Sequence, residues 1–195
     1  MKIISFYNSN IPDKVVQAQK SVFEKFGYNI EQVLTNLQHP DAIDVYLDTQ
    51  DWERVAIFDI DCIPLSKEAL MDIEIISKAP VVYGAAQKAS HVKGSEIYVS
   101  PAFIVFNRET FERLGKPSFV PKRSDVGSEI TYVANELKVP VVYIYPSHVQ
   151  VPKWELRPGE KFGLGTTYGN KIYHAFESRM NNGNMFIEKC CEVLK

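Results

Sequence analysis

Two aspartates, Asp59 and Asp61, directly follow an apolar run that begins at Val55, and Pro64 comes soon after them. The run is short, so it predicts a buried strand of a mostly parallel sheet. Buried strands rarely carry charges, but the carboxyl end of a strand is where open α/β sheets bind ligands. Two carboxylates there could hold a hard divalent cation and the phosphates it carries. Asp-x-Asp is also common in solvated turns, yet exposed turns seldom follow four buried residues, which favours the cation site.

A histidine and an arginine, His174 and Arg179, form a second group that could do chemistry. His174 follows a glycine-rich segment, residues 162–169, whose backbone could approach a phosphate closely. Arg179 could bind two phosphate oxygens at once. The alternative is structural, because a lone histidine is often a hydrogen-bonded core residue. The glycines can also be ordinary turn formers, since no Lys-Ser or Lys-Thr follows them as in a P-loop.

Two further carboxylates, Asp125 and Glu129, fall one turn apart on one face of a helix that the pattern predicts over residues 124–137. A carboxylate at such a position could act as a catalytic base. Alternatively, the carboxylate could only stabilise the helix by interacting with the positive end of its dipole, with Ser124 as the N-cap. The residues alone leave both interpretations open.

Strand and helix patterns alternate along the chain, as is typical of an α/β fold. The predicted strands are residues 2–7, 28–34, 54–59, 81–84, 102–107 and 139–145, and the predicted helices are residues 15–26, 40–48, 67–76, 109–114 and 124–137. The first three strands with two helices make a βαβαβ unit that would place the aspartates at its crevice. Residues 146–170 are rich in proline and glycine and are predicted to be an irregular functional loop. We expect residues 151–170 to be mobile until a donor substrate binds.

Length and composition bound the class of protein. At 195 residues, of which 45% are hydrophobic, the chain can bury a full core as one domain over residues 1–195. A net charge of −2 gives no general attraction to nucleic acid or to an anionic membrane. Three cysteines, two of them adjacent, imply neither a disulfide framework nor a metal site. Since no signal-peptide or membrane-spanning pattern is found, we expect a cytoplasmic protein.

The order of these motifs carries a resemblance to a known family. Asp59-Ile60-Asp61 comes after an apolar strand, and then follow the stretch 98–108, Asp125-Val126-Gly127, and last His174 with Arg179 behind it. In this order the chain resembles a GT-A glycosyltransferase, and it is most similar to small metal-dependent members, including those encoded by large viruses and phages. The resemblance extends from residue 2 to about residue 179. It implies one α/β domain with a mixed, mostly parallel sheet flanked by helices, in which residues 1–65 form the nucleotide-binding half and residues 80–195 the acceptor half with a closing loop.

The resemblance implies transfer of a sugar from a nucleotide-diphosphate sugar, with UDP favoured as the nucleotide, to an acceptor hydroxyl. The cation would be Mn²⁺ or Mg²⁺. The implied metal ligands are Asp59, Asp61 and His174, and Arg179 would bind the diphosphate. The first turn, with Phe6, Tyr7 and Asn8, lies where such a sheet would bind the base and ribose. Lys88 is compatible with a sugar or phosphate site. If the enzyme inverts configuration, Asp125 is the candidate base and Glu129 the second choice. The final motif, His-Ala-Phe-Glu-Ser-Arg, lacks the glycine and lysine of familiar retaining enzymes, so stereochemistry is not carried over.

Two other classes compete with the transferase. Asp59-x-Asp61 at a strand end also resembles the haloacid dehalogenase phosphatases, but Ile63 stands where that family usually has Thr or Val. A full βαβ unit precedes the motif and no Asp-Asp pair follows downstream, which also counts against this family. The second competitor is a sugar- or nucleotide-binding module without catalysis. Among acceptors, a glycan, a lipid-linked sugar, a protein side chain and a modified nucleobase all remain open.

Overall fold

Strands and helices alternate through most of the computed structural model, which describes residues 1–177 and 183–195. The strands are β1 (Lys2–Tyr7), β2 (Glu31–Leu34), β3 (Arg54–Phe58), β4 (Cys62–Pro64), β5 (Val82–Lys88), β6 (Ile97–Asn107), β7 (Val141–Ile144), β8 (Pro146–Arg157), β9 (Glu160–Tyr168) and β10 (Ile172–His174). The helices are α1 (Asp13–Lys25), α2 (His39–Thr49), α3 (Lys67–Ile76), α4 (Arg108–Arg113), α5 (Ser128–Glu136) and α6 (Gly183–Leu194). None of the helices in these ranges is long and apolar enough to cross a membrane.

The larger sheet has six strands in the order β2-β1-β3-β6-β5-β7. β1 pairs in parallel with β2 and β3, and β5 pairs in parallel with β7, whereas β6 runs antiparallel to both of its neighbours. The predicted α/β class with a mixed, mostly parallel sheet flanked by helices is therefore confirmed. The βαβαβ order of β1, α1, β2, α2 and β3 also agrees with the apolar periodicity of the sequence.

Both faces of the larger sheet are covered, which explains why its inner strands are continuous apolar runs. One face packs against α2, α4 and α5, with Ile4 and Ile57 pointing into this part of the core. The opposite face packs against α1 and α3, with Ala56 and Phe58 pointing there. Along β3 the side chains thus alternate between two buried faces, so residues 55–58, which lead directly to Asp59, are all apolar and buried.

The smaller sheet has the antiparallel order β4-β10-β9-β8. β3 belongs to the larger sheet and β4 to the smaller one, so the chain passes from one sheet to the other within residues 59–61. β10 lies beside β4, with His174 opposite Cys62. This pairing brings the late histidine to the turn that carries the two aspartates.

The prediction of an irregular segment over residues 146–170 is wrong, because β8 and β9 form a long antiparallel hairpin there. The prolines and glycines of this segment have other structural roles. Pro152 lies on β8, which is the edge strand of the smaller sheet, where a missing N–H costs no ladder bond. Gly163 lies where the ladder shifts register, and a Cβ on it would stand 2.2 Å from Val151 O. Proline and glycine thus mark an edge and a close approach rather than a lack of strand.

The helix predicted over residues 124–137 begins later, at Ser128, so Asp125 and Glu129 do not share a helix face. Gly127 precedes the helix with a left-handed φ of 71°, and Ser124 does not cap it. Ser124 Oγ instead lies 3.1 Å from the hydroxyl of Ser95. Two strands are longer than predicted, because β5 continues to residue 88 and β6 begins at residue 97.

Candidate metal and nucleotide site

Hydrogen bonds fix the backbone that carries the two aspartates. Asp59 N donates to Ala102 O at 2.9 Å, and Asp59 O accepts from Cys62 N at 2.9 Å. Gln19, fully buried on α1, donates from Nε2 to Asp59 O at 2.7 Å and to Cys62 O at 2.9 Å. The turn between β3 and β4 is therefore held both by the sheet and by a buried side chain from α1.

His174 completes a cluster with the two carboxylates. Ala175 N donates to Asp61 O at 3.0 Å, which extends the contact between the end of β10 and the aspartate turn. His174 Nε2 lies 3.0 Å from Asp61 Oδ1 and 3.5 Å from Asp59 Oδ2. The side chains of His174 and Asp61 are nearly buried, at 4% and 8% exposure, whereas Asp59 is 28% exposed. Asp61 is thus enclosed, whereas Asp59 is partly exposed to solvent.

Negative charge dominates this cluster. Burial by itself would lower the pKa of His174, but the hydrogen-bonded Asp61 and the nearby Asp59 outweigh burial and raise the pKa above its ordinary value. Burial, reinforced by the same two carboxylates, raises the pKa of the Cys62 thiol well above its ordinary value. A cation bound beside these groups would be attracted by both carboxylates.

The donor set fits a divalent ion. One atom each from Asp59, Asp61 and His174 lies within 4.8 Å of the others. The Nε2-to-oxygen distances of 3.0 and 3.5 Å are near the spacing of neighbouring ligands on a six-coordinate ion, whose bonds are about 2.1–2.2 Å long. Two carboxylates and an imidazole suit Mn²⁺ and Mg²⁺, with the nitrogen favouring Mn²⁺.

The wall beside His174 contains strained backbone. Phe176 and Glu177 have φ values of 58° and 52°, a left-handed conformation that costs a residue other than glycine about 1 kcal/mol or more. The ring of Phe176 lies 3.7 Å from that of His174, measured between centroids. Glu177 forms an ion pair with Lys153 on β8. Packing and charge from the smaller sheet thus hold this turn against the histidine.

A cavity of about 280 Å³ opens at the cluster. It brings together six of the residues that the sequence singled out, and it adds others. Its lining residues are Phe6, Tyr7, Asn8, Ile11, Thr35, Leu37, His39, Asp59, Ile60, Asp61, His174, Phe176 and Glu177. The cavity therefore joins the carboxyl end of β1 to the aspartate turn, as expected for a parallel sheet.

Asp125 does not line this cavity. Its Oδ2 accepts a hydrogen bond from the hydroxyl of the buried Tyr98 at 3.1 Å, and its Oδ1 accepts from Val126 N at 2.8 Å. Burial, together with the charge of Asp125, raises the pKa of Tyr98 far above its ordinary value, so the hydroxyl remains a donor. Asp125 is thus a carboxylate fixed by two donors, and its catalytic role stays a prediction.

The other three predicted residues also lie away from the cluster or outside the described residues. Glu129 is bound through both oxygens by Arg123. Burial would raise the pKa of Glu129, but Arg123 outweighs it and lowers the pKa, which makes this carboxylate a poor base. Lys88 lies at the end of β5 opposite Ile97 and does not line the cavity. Arg179 falls in residues 178–182, outside the described ranges.

His39 is a site residue that the sequence reasoning missed. It is the first residue of α2, it lines the cavity, and its Nε2 lies 3.1 Å from Asp59 Oδ1. The following Pro40 indicates a helix start. Nothing in the sequence indicates that this helix start lies beside Asp59, because that depends on how α2 packs.

Comparison with known proteins shows the fold. The structure is similar to the mannosyltransferase PcManGT from Pyrobaculum calidifontis, solved in complex with GDP-Man and Mn²⁺, at 12% identity and a TM-score of 0.50 over 73% of this chain. The match spans about half, 54%, of that longer protein. The chain has a nucleotide-sugar transferase-like fold. No family model and no curated protein matches the sequence.

Two further solved structures are more distant. A glycosyltransferase involved in the glycosylation of the major capsid of PBCV-1 is 12% identical, with a TM-score of 0.41 over 74% of this chain and 82% of its own. The 4-diphosphocytidyl-2C-methyl-D-erythritol synthase from Anaerococcus prevotii is 10% identical, with a TM-score of 0.43 over 74% and 88% of the two chains. At such identities the likeness concerns the fold alone, so activity must be argued from the site.

Proposed function

We propose that this chain transfers a sugar from a nucleotide-diphosphate sugar to an acceptor hydroxyl, using Mn²⁺ or Mg²⁺ held by Asp59, Asp61 and His174. The observation that carries the proposal is a buried imidazole within 3.5 Å of two carboxylates. This cluster opens into a cavity that reaches the end of β1, where nucleotides bind on related sheets. The fold shared with PcManGT supports the same class of donor.

The charge of the cavity supports a cation-assisted reaction. Among the residues that the structure describes, no lysine or arginine lines the cavity, whereas Asp59, Asp61 and Glu177 do. A diphosphate would be repelled by these carboxylates in the absence of a cation. When bound, the ion supplies positive charge that neutralises the departing diphosphate oxygen. Arg179 remains the predicted second partner of the diphosphate.

The chain's own residues would bind and shield the donor. Asn8 lines the cavity beside Phe6 and Tyr7, and its buried Oδ1 accepts no hydrogen bond from the part of the chain that the structure describes. Such an oxygen accepts a bond from a ring N–H of a pyrimidine or purine base. We favour UDP as the nucleotide, and because PcManGT is described with GDP-Man, a guanine donor belongs in any test.

Asp125 is the proposed base if the enzyme inverts configuration. It lies between β6 and α5, and Tyr98 and Val126 hold both of its oxygens in place. A fixed, partly exposed carboxylate can accept the proton of an acceptor hydroxyl. Glu129 is the weaker candidate, because its carboxylate is engaged in an ion pair with Arg123.

The proposal is tested by turnover of a panel of UDP-, GDP- and TDP-sugars with Mn²⁺, with Asp61→Asn as the control variant. Release of a nucleoside diphosphate that requires Mn²⁺ and Asp61 supports the transferase. Release of phosphate from monoesters would instead indicate the phosphatase. Donor binding without turnover, in the presence of candidate acceptors, would indicate a binding module.

A further inference from the structure

His39 contacts the less buried of the two aspartates through a different carboxylate oxygen from the one that His174 approaches. Its Nε2 lies 3.1 Å from Asp59 Oδ1, whereas His174 Nε2 approaches Oδ2 of the same carboxylate. The two oxygens of Asp59 are thus divided between two histidines. His39 is not part of the cluster whose ligand atoms lie within 4.8 Å of one another, so it contacts Asp59 without belonging to the candidate ligand set.

The imidazole of His39 is available as a donor. Its Nε2 is buried and lies 3.1 Å from Asp59 Oδ1, but it makes no aligned hydrogen bond to any residue within the described ranges. The ring is held edge-on to Phe6, with centroids 6.3 Å apart. Since χ2 of histidine has a broad minimum, a small rotation of the ring aligns the bond.

A hydrogen bond to a metal-binding carboxylate fixes its orientation and so influences which of its oxygens binds the ion. If Oδ1 accepts a hydrogen bond, it becomes the weaker ligand of the two oxygens, which favours binding of the ion through Oδ2 alone. Single-oxygen ligation suits the octahedral shells of Mn²⁺ and Mg²⁺, whereas Ca²⁺ takes six to eight oxygens and readily accepts a carboxylate through both.

We propose that His39 is a positioning residue of the cation site, which donates from Nε2 to Asp59 Oδ1 and thereby selects Mn²⁺ and Mg²⁺ against Ca²⁺. This inference rests on the proposed function, because it takes Asp59 as a ligand of the ion. It goes beyond that function in assigning the choice of ion to α2, an element that supplies no metal ligand.

Calorimetric titration with Mn²⁺ alone and with Ca²⁺ alone tests the inference in the wild type and in three variants. His39→Leu removes the donor, His39→Gln restores an N–H at the position of Nε2, and His39→Asn carries a donor that is too short to reach. We expect the ratio of Mn²⁺ to Ca²⁺ affinity to fall about 10-fold in the Leu and Asn variants and to be kept by Gln. Both affinities are measured on the same protein sample. An unfolded fraction of a variant therefore affects both titrations alike and does not change their ratio.

Any other result contradicts either the role of His39 or the proposed metal centre. An unchanged ratio in His39→Leu, or a ratio that Gln fails to restore, overturns the role of His39 and leaves the transferase proposal intact. If a folded His39→Leu variant binds neither cation, His39 would be a metal ligand, and its proposed role as a positioning residue would be wrong. If the wild type binds neither ion, the metal centre itself is wrong, and that failure concerns the proposed function.

Discussion

Asp59 and Asp61 are neighbours in sequence but differ in their surroundings. Asp61 is enclosed with His174, and its backbone oxygen is bound by Ala175 N, whereas Asp59 faces the cavity. An enclosed carboxylate has little freedom to be replaced by water. We therefore expect Asp61 to be the more important of the two aspartates in the proposed cation site.

We predict that Asp61→Asn weakens Mn²⁺ binding by about 100-fold or more, because it removes one charged ligand and the partner of His174. Calorimetry with Mn²⁺ measures the loss, and circular dichroism checks that the variant is folded. The control is Asp48→Asn, an exposed aspartate at the end of α2, which should bind as the wild type does. Equal affinities in the two variants would remove Asp61 from the metal site.

Gln19 stabilises the aspartate turn from outside the cavity. Replacing it by leucine keeps the volume but leaves the buried Cys62 carbonyl without its side-chain donor. We predict that Gln19→Leu lowers the free energy of unfolding by about 1–3 kcal/mol and also weakens Mn²⁺ binding. Urea denaturation measures the first effect. Gln17→Leu, an exposed change on the same helix, should alter neither quantity.

At the scale of elements, the sequence predicts well those parts whose patterns are local. Both α3 and β1 begin and end at the predicted residues. The apolar stripe of a helix and the apolar run of a buried strand are patterns formed by residues close together in the sequence. The sequence pattern does not predict β8 and β9, because their prolines and glycines suit an edge strand and a register shift that exist only in the assembled sheet.

The residues of the candidate site also differ in whether a local sequence pattern or only the packed fold reveals them. The aspartates were found from the apolar strand before them, which is a local signal. Asp61 and His174 are 113 residues apart, and only a family resemblance brought them together before the structure did. His39 had no such signal, because its proximity to Asp59 depends on the packing of α2. The sequence pattern places Asp125 and Glu129 on one helix face, which is wrong because the left-handed Gly127 makes the helix begin only at Ser128.

Gly127 is needed for the turn that leads from Asp125 into α5. Its φ is 71°, and a Cβ would stand 3.1 Å from both Phe119 and Pro101. We predict that Gly127→Ala costs about 1–3 kcal/mol in the free energy of unfolding. Gly159→Ala is the matched control, since Gly159 also has a positive φ of 80° but has no atom within 4 Å of a Cβ. A smaller loss at Gly159 would isolate the crowding, whereas equal losses would show that backbone strain alone matters.

At the scale of the molecule, the candidate metal site lies where the two sheets meet. Asp59 follows β3 of the larger sheet, and His174 ends β10 of the smaller one. An ion bound by both would therefore link the sheets across the turn. Because binding to the folded state stabilises it by mass action, Mn²⁺ should raise the thermal unfolding midpoint of the whole chain.

The size of that Mn²⁺ effect should depend on pH. The carboxylates raise the pKa of His174 above its ordinary value of 6.5, so in the metal-free protein their attraction to protonated His174 stabilises the fold below about pH 6.5 and is lost as pH rises through the raised pKa. A metal ligand must be deprotonated, so Mn²⁺ competes with this proton. We predict that the rise in midpoint caused by Mn²⁺ is smaller at pH 6 than at pH 8.

Calorimetric scans with and without Mn²⁺ at several pH values between 6 and 8.5 measure this dependence. In His174→Gln the rise should be small at every pH, because the ligand and its proton are both gone. His91→Gln, which changes an exposed histidine outside the cavity lining, should behave as the wild type does. A Mn²⁺ effect in the wild type that is the same at pH 6 and pH 8 would mean that the ion does not displace the proton of His174, and the histidine would then have to be removed from the ligand set.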